Sequence, residues 1–315
     1  MELDKKDTRI LRILDQEGRI PYSMLSRKVQ VSKEVARYRV QRLLKDKVIL
    51  GFHPVLDFSV LGMEMYYLLL NFHHFSGQQT EDIESFGQKE HISRIRYFLE
   101  NWDFGFFFHS RDEAGFLSAY DALVKRYGQL IAEKNFSLVK SIHFLDHAYL
   151  FPAAERKIIT VSFLKPQARK LDAVDRQIIG ALFDDARMNI ADLAVKLKKP
   201  VSTVNYHFRQ LEEKVIRGYR LELNYSLFGL QRFILRLWLH DLSQKNKVVS
   251  YLQQQRHVTL ILDLAGDVDI EVETHMTDVY QLKDFLKQLK RTHPAIKEVE
   301  IIHLVKESTP NPLFS

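Results

Sequence analysis

Apolar positions over the first fifty residues recur at helical spacing. Ile10, Leu11 and Leu14 share one face behind Asp4, which can cap a helix while Asp7 adds negative charge to its first turn. Pro21 suits the start of a second helix carrying Met24, Leu25 and Val29. Ser32 caps a third, with Ala36, Val40 and Leu43 at i, i+4 and i+7. Past residue 52 aromatic-rich runs alternate with helical patterns. Residues 65–75 read as a strand, 80–89 as a helix, 92–100 and 105–110 as strands, 114–134 as a helix and 139–151 as a last strand. The order β-α-β-β-α-β predicts a ferredoxin-like sandwich.

The whole arrangement then returns. Leu3-Asp4-x-x-Asp7-x-x-Ile10-Leu11 reappears as Leu171-Asp172-x-x-Asp175-x-x-Ile178-Ile179, and Gly18-Arg19-Ile20 as Ala186-Arg187-Met188. Lys47-Val48-Ile49-x-Gly51-Phe52 matches Lys214-Val215-Ile216-x-Gly218-Tyr219. Leu56-Asp57-Phe58-Ser59-x-x-Gly62 matches Leu223-Asn224-Tyr225-Ser226-x-x-Gly229. Four blocks in one order at near-constant spacing mark a duplication. Asp172 caps a helix bearing Ile178, Ile179 and Leu182; Leu193, Ala194 and Leu197 follow. Ser202 is expected to cap Val204, Phe208 and Leu211. The later runs at 233–240, 245–254, 258–264, 270–274, 278–292 and 296–305 repeat the β-α-β-β-α-β order. The predicted class is α+β. Each of two tandem copies is a winged, three-helix helix-turn-helix domain (1–52 and 166–219) followed by a ferredoxin-like domain (53–165 and 220–315), with 165–170 as the joint.

Charge adds a location. All of the net +6 lies in residues 1–52, which hold thirteen Lys/Arg against seven Asp/Glu. Such a surplus is a candidate polyanion footprint. The absence of cysteine removes disulfides, thiolate metal sites and Cys nucleophiles together, and fits a cytoplasmic protein. No run has the ~18 apolar residues of a membrane span, and no apolar stretch follows the N-terminal charges as in a secretory signal.

Two short helices followed by a capped basic one make a helix-turn-helix whose third helix enters the major groove of double-stranded DNA. With Ala36, Val40 and Leu43 inward, Ser32, Glu34, Tyr38, Gln41 and Lys45 point outward, flanked by Lys33, Arg37 and Arg42. Arg and Lys suit phosphate or guanine, and Gln suits adenine. Copy two offers Ser202, Asn205, Tyr206 and Arg209, but Glu212 and Glu213 cancel Arg209 and Lys214. Since phosphate neutralisation supplies most non-specific affinity, copy one is expected to grip DNA harder.

These blocks resemble the Lrp/AsnC family of prokaryotic transcription regulators. The resemblance rests on the repeated N-terminal blocks, on Val31-Ser32-x-x-x-Ala36-x-x-Arg39-Val40-x-x-Leu43, on Phe208-x-x-Leu211-Glu212, and on Gly62 and Gly229. It implies a DNA-reading unit joined to a βαββαβ effector and dimerisation domain. Family members usually carry one copy per chain and pair through their sheets, so this chain is expected to pair intramolecularly and then to form a dimer of two-copy chains. Helix three in the family usually has an Arg and a later Glu. Copy one keeps Arg39 but has Leu44; copy two keeps Glu212 but has His207, so neither makes that pair within itself.

The resemblance also implies a small-molecule effector such as an amino acid, near a Gly-acidic-aromatic-Asp turn. Gly266-Asp267-Val268-Asp269 fits it, with Asp267 and Asp269 as contacts; Asn101, Trp102 and Asp103 are the copy-one counterparts, where the glycine is replaced. No metal, cofactor or catalytic residue is expected. His143 and His147, read as sharing one strand face, lie ~13 Å apart, and no phosphate loop, His-Glu-x-x-His or nucleophile elbow is present. The alternatives are a tetrapyrrole enzyme like the sirohaem decarboxylases, which resemble this family in fold, and a protein-interaction scaffold that does not bind DNA.

Overall fold

The computed structural model describes residues 3–74, 77–90, 92–151, 155–163 and 170–309. Its elements run α1 (Lys5–Gln16), α2 (Tyr22–Val29), α3 (Lys33–Lys45), β1 (Ile49–Leu56), β2 (Glu64–Phe72), α4 (Gly77–Lys89), β3 (Ile92–Phe98), β4 (Phe104–Ser110), α5 (Glu113–Tyr127), β5 (Ile131–Leu145) and β6 (Ile158–Ser162). Copy two continues with α6 (Ala173–Asp184), α7 (Ile190–Leu197), α8 (Val201–Lys214), β7 (Ile216–Leu223), β8 (Gln231–Leu239), α9 (Lys245–Gln254), β9 (Val258–Gly266), β10 (Ile270–Met276), α10 (Val279–Thr292) and β11 (Ile296–Ser308). The chain divides into two units that cut across the copies.

One unit gathers the chain up to Asp57 with Leu145–Ile159 and Leu171–Leu230, so both three-helix bundles lie in it. Asp4 and Asp7 form a capping box at α1, and Asp172 and Asp175 repeat it at α6. Ile10, Leu11, Leu14, Leu25, Val40 and Leu43 build the first bundle's core, which runs on into Ala186, Leu221 and Leu223 of copy two. β1 and β7 pair antiparallel and join the two bundles. Alternation does not announce these two strands, because Gly51, Pro54 and Gly218 interrupt the apolar pattern.

The other unit holds Phe58–Phe144, Thr160–Lys170 and the chain from Gln231 onward. Copy one contributes strands in the order β5-β2-β4-β3 and copy two β11-β8-β10-β9, the ferredoxin-like order twice over. β3 pairs with β11 and β9 with β5, so eight strands close into a ring in which every neighbouring pair is antiparallel. β6 adds beside β5. Closure leaves no free edge among the eight. Phe104, Phe106 and Phe108 of β4 pack outward beneath Ile83, Phe86, Phe116 and Leu123 of α4 and α5. Gly62 and Gly229, repeated in the sequence, both take left-handed φ values, +68° and +65°, which explains the residue type at both places.

Several local expectations change. Residues 114–134 do not form one helix: α5 stops at Tyr127, and Ile131 onward pairs with β2, so sheet pairing overrides the helical propensity of Ala132-Glu133-Lys134. The last strand of copy one therefore spans 131–145, not 139–151, and His147 lies beyond it instead of sharing a face with His143. Met24 is exposed, and Leu25 and Val29 carry the contact of α2 with the core, with Tyr22 packed beside them. Ser202 is not a cap; α8 starts at Val201 directly after Pro200, whose extended backbone sets the helix entry without a side-chain bond. The joint at 165–170 falls outside the described residues apart from Lys170.

Candidate nucleic-acid interface

α3 is held from both sides. Ser32 Oγ accepts the Val35 amide at 3.1 Å and fixes its start. Ala36, Val40 and Leu43 are fully buried beneath it. Ser32, Lys33, Glu34, Arg37, Tyr38, Gln41 and Lys45 are exposed on the opposite face, Tyr38 to 65%. Not all of the helix's positive charge points that way. Arg39 Nη1 reaches Asp4 at 2.7 Å and Asp7 at 2.8 Å, and Arg42 Nη2 reaches Asp7 at 2.5 Å. Asp7 is buried, so two guanidiniums are engaged in holding α1 against α3. The Asp7 amide, then Arg39, bring the Asp4 carboxyl down to about 2. Arg42, expected on the flank of the outward face, is tied to Asp7 while its side chain stays 35% exposed there.

The equivalent scaffold in copy two carries less charge. His207 Nδ1 lies 2.9 Å from Asp175 and 3.6 Å from Asp172, in the place of Arg39. These three side chains are close enough to share a metal ion, but the guanidinium at the matching place in copy one marks the position as one of ion pairing. On α8, Ser202, Tyr206 and Arg209 are exposed and Asn205 is half-buried. Val201 and Val195 are exposed where copy one has Lys33 and Arg27. Glu212 accepts from Tyr219 Oη at 2.9 Å and faces Arg19 of copy one at 4.0 Å, so its cation comes from the other copy.

Helical spacing assigns no role to the repeated arginines Arg19 and Arg187, and the structure does. Arg187 donates to the carbonyls of Gly18 (2.6 Å) and Ile20 (2.8 Å), and Arg19 donates to the carbonyl of Ala186. Arg19 also lies over the Phe208 ring at 4.5 Å and Arg187 over Tyr22 at 4.8 Å. The two three-helix bundles are therefore clasped to one another. The one sequence signal is an Arg returning inside matched blocks.

In the sheet unit the two turns are tied into the backbone. Asn101 takes the left-handed conformation at φ +63°, and Gly266 a positive φ of +142°. Asp103 accepts the Phe72 amide and Asp269 the Leu239 amide, each at 2.7 Å, and Asp267 accepts the Phe136 amide at 3.0 Å. Trp102 is buried, donating to Glu300 at 3.0 Å beneath Arg236. The ring interior also holds a charge lattice that the sequence pattern did not reveal. Arg96 reaches Glu271 (2.6 Å), Glu307 (2.9 Å) and Glu273 (3.3 Å), while Arg232 bridges Glu273 and Glu307. Its signal is charge at period two within apolar strands: Arg94 and Arg96, Glu271 and Glu273.

Comparison with known proteins fits this geometry. A family profile for the AsnC-type helix-turn-helix domain matches residues 3–44, and one for winged helix-turn-helix DNA-binding domains matches 171–214. Both three-helix units thus match helix-turn-helix profiles, the first of AsnC type, and relatives in Pyrococcus support an Lrp/AsnC family regulator. An uncharacterised HTH-type transcriptional regulator of Pyrococcus furiosus is 26% identical over 121 residues, 38% of this chain and 82% of that one. A counterpart in Pyrococcus horikoshii is 40% identical over 65 residues, 21% of this chain and 41% of that one. The siroheme decarboxylase NirDL has the same fold over 96% of this chain and 92% of its own, with TM-score 0.63 at 13% identity. That likeness concerns fold alone. No helix among the described residues is long and apolar enough to cross a membrane.

Proposed function

We propose that this chain is a sequence-specific double-stranded DNA-binding transcription regulator and not an enzyme. α3 of copy one lies in the major groove, and α8 acts as a weaker second reader. The observation that carries the reading is the outward face of α3. Lys33, Arg37, Tyr38, Gln41 and Lys45 are exposed, while Arg39 and Arg42 are engaged with Asp7. The sheets pair within the chain, so one chain supplies both halves of a family dimer. An amino-acid effector at the turns around Asp103 and Asp269 would have to compete with the backbone bonds those carboxylates already accept.

The test is duplex binding against salt, for the parent and for Arg37→Ala with Lys45→Ala. Every phosphate that a variant no longer neutralises makes the slope of log affinity on log salt shallower by about 0.9. A parent that binds no duplex at low salt, or a double variant with unchanged affinity and slope, overturns the reading. Titration with an iron tetrapyrrole serves the rival reading: a shifted absorbance band would favour an enzyme of the NirDL type.

A further inference from the structure

The contacts that join the two helix-turn-helix units follow a local two-fold axis, yet the outward residues of α3 and α8 differ. The symmetry is written in the contacts of the helix-turn-helix unit. Residues of β1 and β7 that match in the repeat differ by 167, so Ile49 matches Ile216 and Leu56 matches Leu223. In the ribbon Ile49 faces Leu223 and Leu56 faces Ile216; likewise Phe52 faces Leu221 and Pro54 faces Tyr219. Each contact is the exchanged image of another, about a centre at the matched pair His53 and Arg220. The Arg19 and Arg187 clasp obeys the same exchange. A two-fold between reading units presents inverted half-sites to a duplex.

The outward faces break that symmetry. At spacing 168, Arg37 of α3 matches Asn205 of α8, and Gln41 matches Arg209. Arg37, Gln41 and Arg209 are exposed and Asn205 is half-buried. An arginine fork fits guanine O6 and N7, while an asparagine or glutamine amide fits adenine N6 and N7. The residue types are thus crossed. Copy one has the guanine reader first and the adenine reader a turn later; copy two has the adenine reader first. One helical turn is about 5.4 Å, on the order of two base-pair steps. Lys33 also becomes Val201, and Lys45 gives way to acidic Glu213, so the second half gains less from phosphate.

We infer that one chain binds an inverted repeat with unequal halves. Copy one takes a guanine read by Arg37 and, about two base pairs on, an adenine read by Gln41. Copy two takes the reverse order, adenine by Asn205 and guanine by Arg209. This rests on the DNA-binding reading above and adds the symmetry and asymmetry of the target.

The experiment selects duplexes from a random library with the full chain. Binding is then measured on the selected site and on its two symmetrised versions, with the mass of the complex. The expected result is an imperfect inverted repeat bound by one chain. Each symmetrised site should bind weaker by roughly tenfold or more per changed base pair. In the exchange variant Arg37→Asn with Gln41→Arg, preference should move to the site symmetrised on the copy-two half. Both positions are exposed, and a thermal melt matching the parent certifies the fold. A second variant, Gln41→Ala, should lose discrimination only at its adenine. If no duplex is enriched, the DNA-binding reading itself falls. If a perfect palindrome, a direct repeat or a lone half-site is enriched, or two chains occupy each site, or the exchange leaves preference unchanged, this inference is overturned while DNA binding stands.

Discussion

Arg187 donates two hydrogen bonds into the Gly18–Ile20 segment of copy one, and Arg19, its partner in the repeat, returns one to Ala186. The exchange explains why a Gly-Arg-Ile block and an Ala-Arg-Met block were retained together. Each arginine closes onto the other copy's bundle. Gly18 fits because a Cβ there would come to 3.1 Å from Tyr219 Cβ, across the same contact.

The clasp predicts unequal losses. Arg187 makes two of its three bonds, and burial brings its pKa below the usual guanidinium value. Arg187→Ala removes two charge-assisted bonds and the ring contacts with Tyr22 and Phe52, a loss of about 2–3 kcal/mol. Arg19→Ala should cost about 1–2 kcal/mol. Urea unfolding monitored by circular dichroism checks the order; equal midpoints for parent and Arg187→Ala would refute the clasp.

The two groups of arginines on α3 should separate stability from DNA binding. Arg39→Ala leaves buried Asp7 with one cation fewer and should destabilise by about 1–3 kcal/mol. Arg37→Ala should leave the melting temperature within a degree or two, since a surface change seldom exceeds about 0.5 kcal/mol in either direction. It should weaken duplex binding by roughly 1–3 kcal/mol at a cognate guanine. Melting curves and binding isotherms on the same preparations suffice, and a large stability loss for Arg37→Ala would place that side chain in the scaffold instead of on the reading face.

The legible part of the molecule is whatever repeats or keeps one period. Capped helices, the buried stripe Ala36-Val40-Leu43 and the doubled βαββαβ order all follow from local spacing. What escapes depends on contacts between distant segments. Arg42 sits on the flank of the outward face by its helical angle, and only the position of Asp7 on α1 gives it an ion-pair partner. The extent of β5 is set by β2 and β9, not by Ala132-Glu133-Lys134. The charge lattice needs β3 of one copy beside β11 of the other, which no single-strand pattern announces.

That lattice makes pairing between the copies selective. At spacing 166, set by Asp103 with Asp269, Arg96 matches Leu262, Glu271 matches Gly105, and Glu273 matches Phe107. Like-with-like pairing would therefore strand arginine against Gly and Phe, or glutamates against leucine. Burial pushes Glu271 up, whereas at Glu273 Arg232, His275 and Arg96 outweigh burial and hold the carboxyl far below its ordinary value. Arg96→Met should destabilise by about 3–5 kcal/mol, because the acids stay behind. Combining it with Glu271→Met and Glu273→Met should recover much of the loss. If the triple variant is less stable than Arg96→Met alone, the lattice is not governed by charge compensation.

His109 carries the pH prediction. It matches His275 in the repeat, but His275 Nε2 has Glu273 at 2.9 Å, whereas copy one has Phe107 in place of that glutamate. His109 is buried with neither ring nitrogen bonded among the described residues, and its ring centroid lies 4.0 Å from that of Phe58. Burial, with Arg94 adding to it, pushes its pKa down to about 3. The unfolded chain takes up this proton below the ordinary histidine value of about 6.5, and the folded chain does not until about 3. Its contribution to stability is therefore whole above about 6.5 and falls as pH drops, by about 1.4 kcal/mol per pH unit. Between pH 7 and pH 5, His109→Phe should gain about 2 kcal/mol on the parent, whatever its difference at pH 7. Denaturant midpoints at the two pH values measure the gap. A gap that stays constant would mean that His109 accepts its proton in the folded chain, through an opening or a partner that its burial among Phe58 and Phe163 denies it.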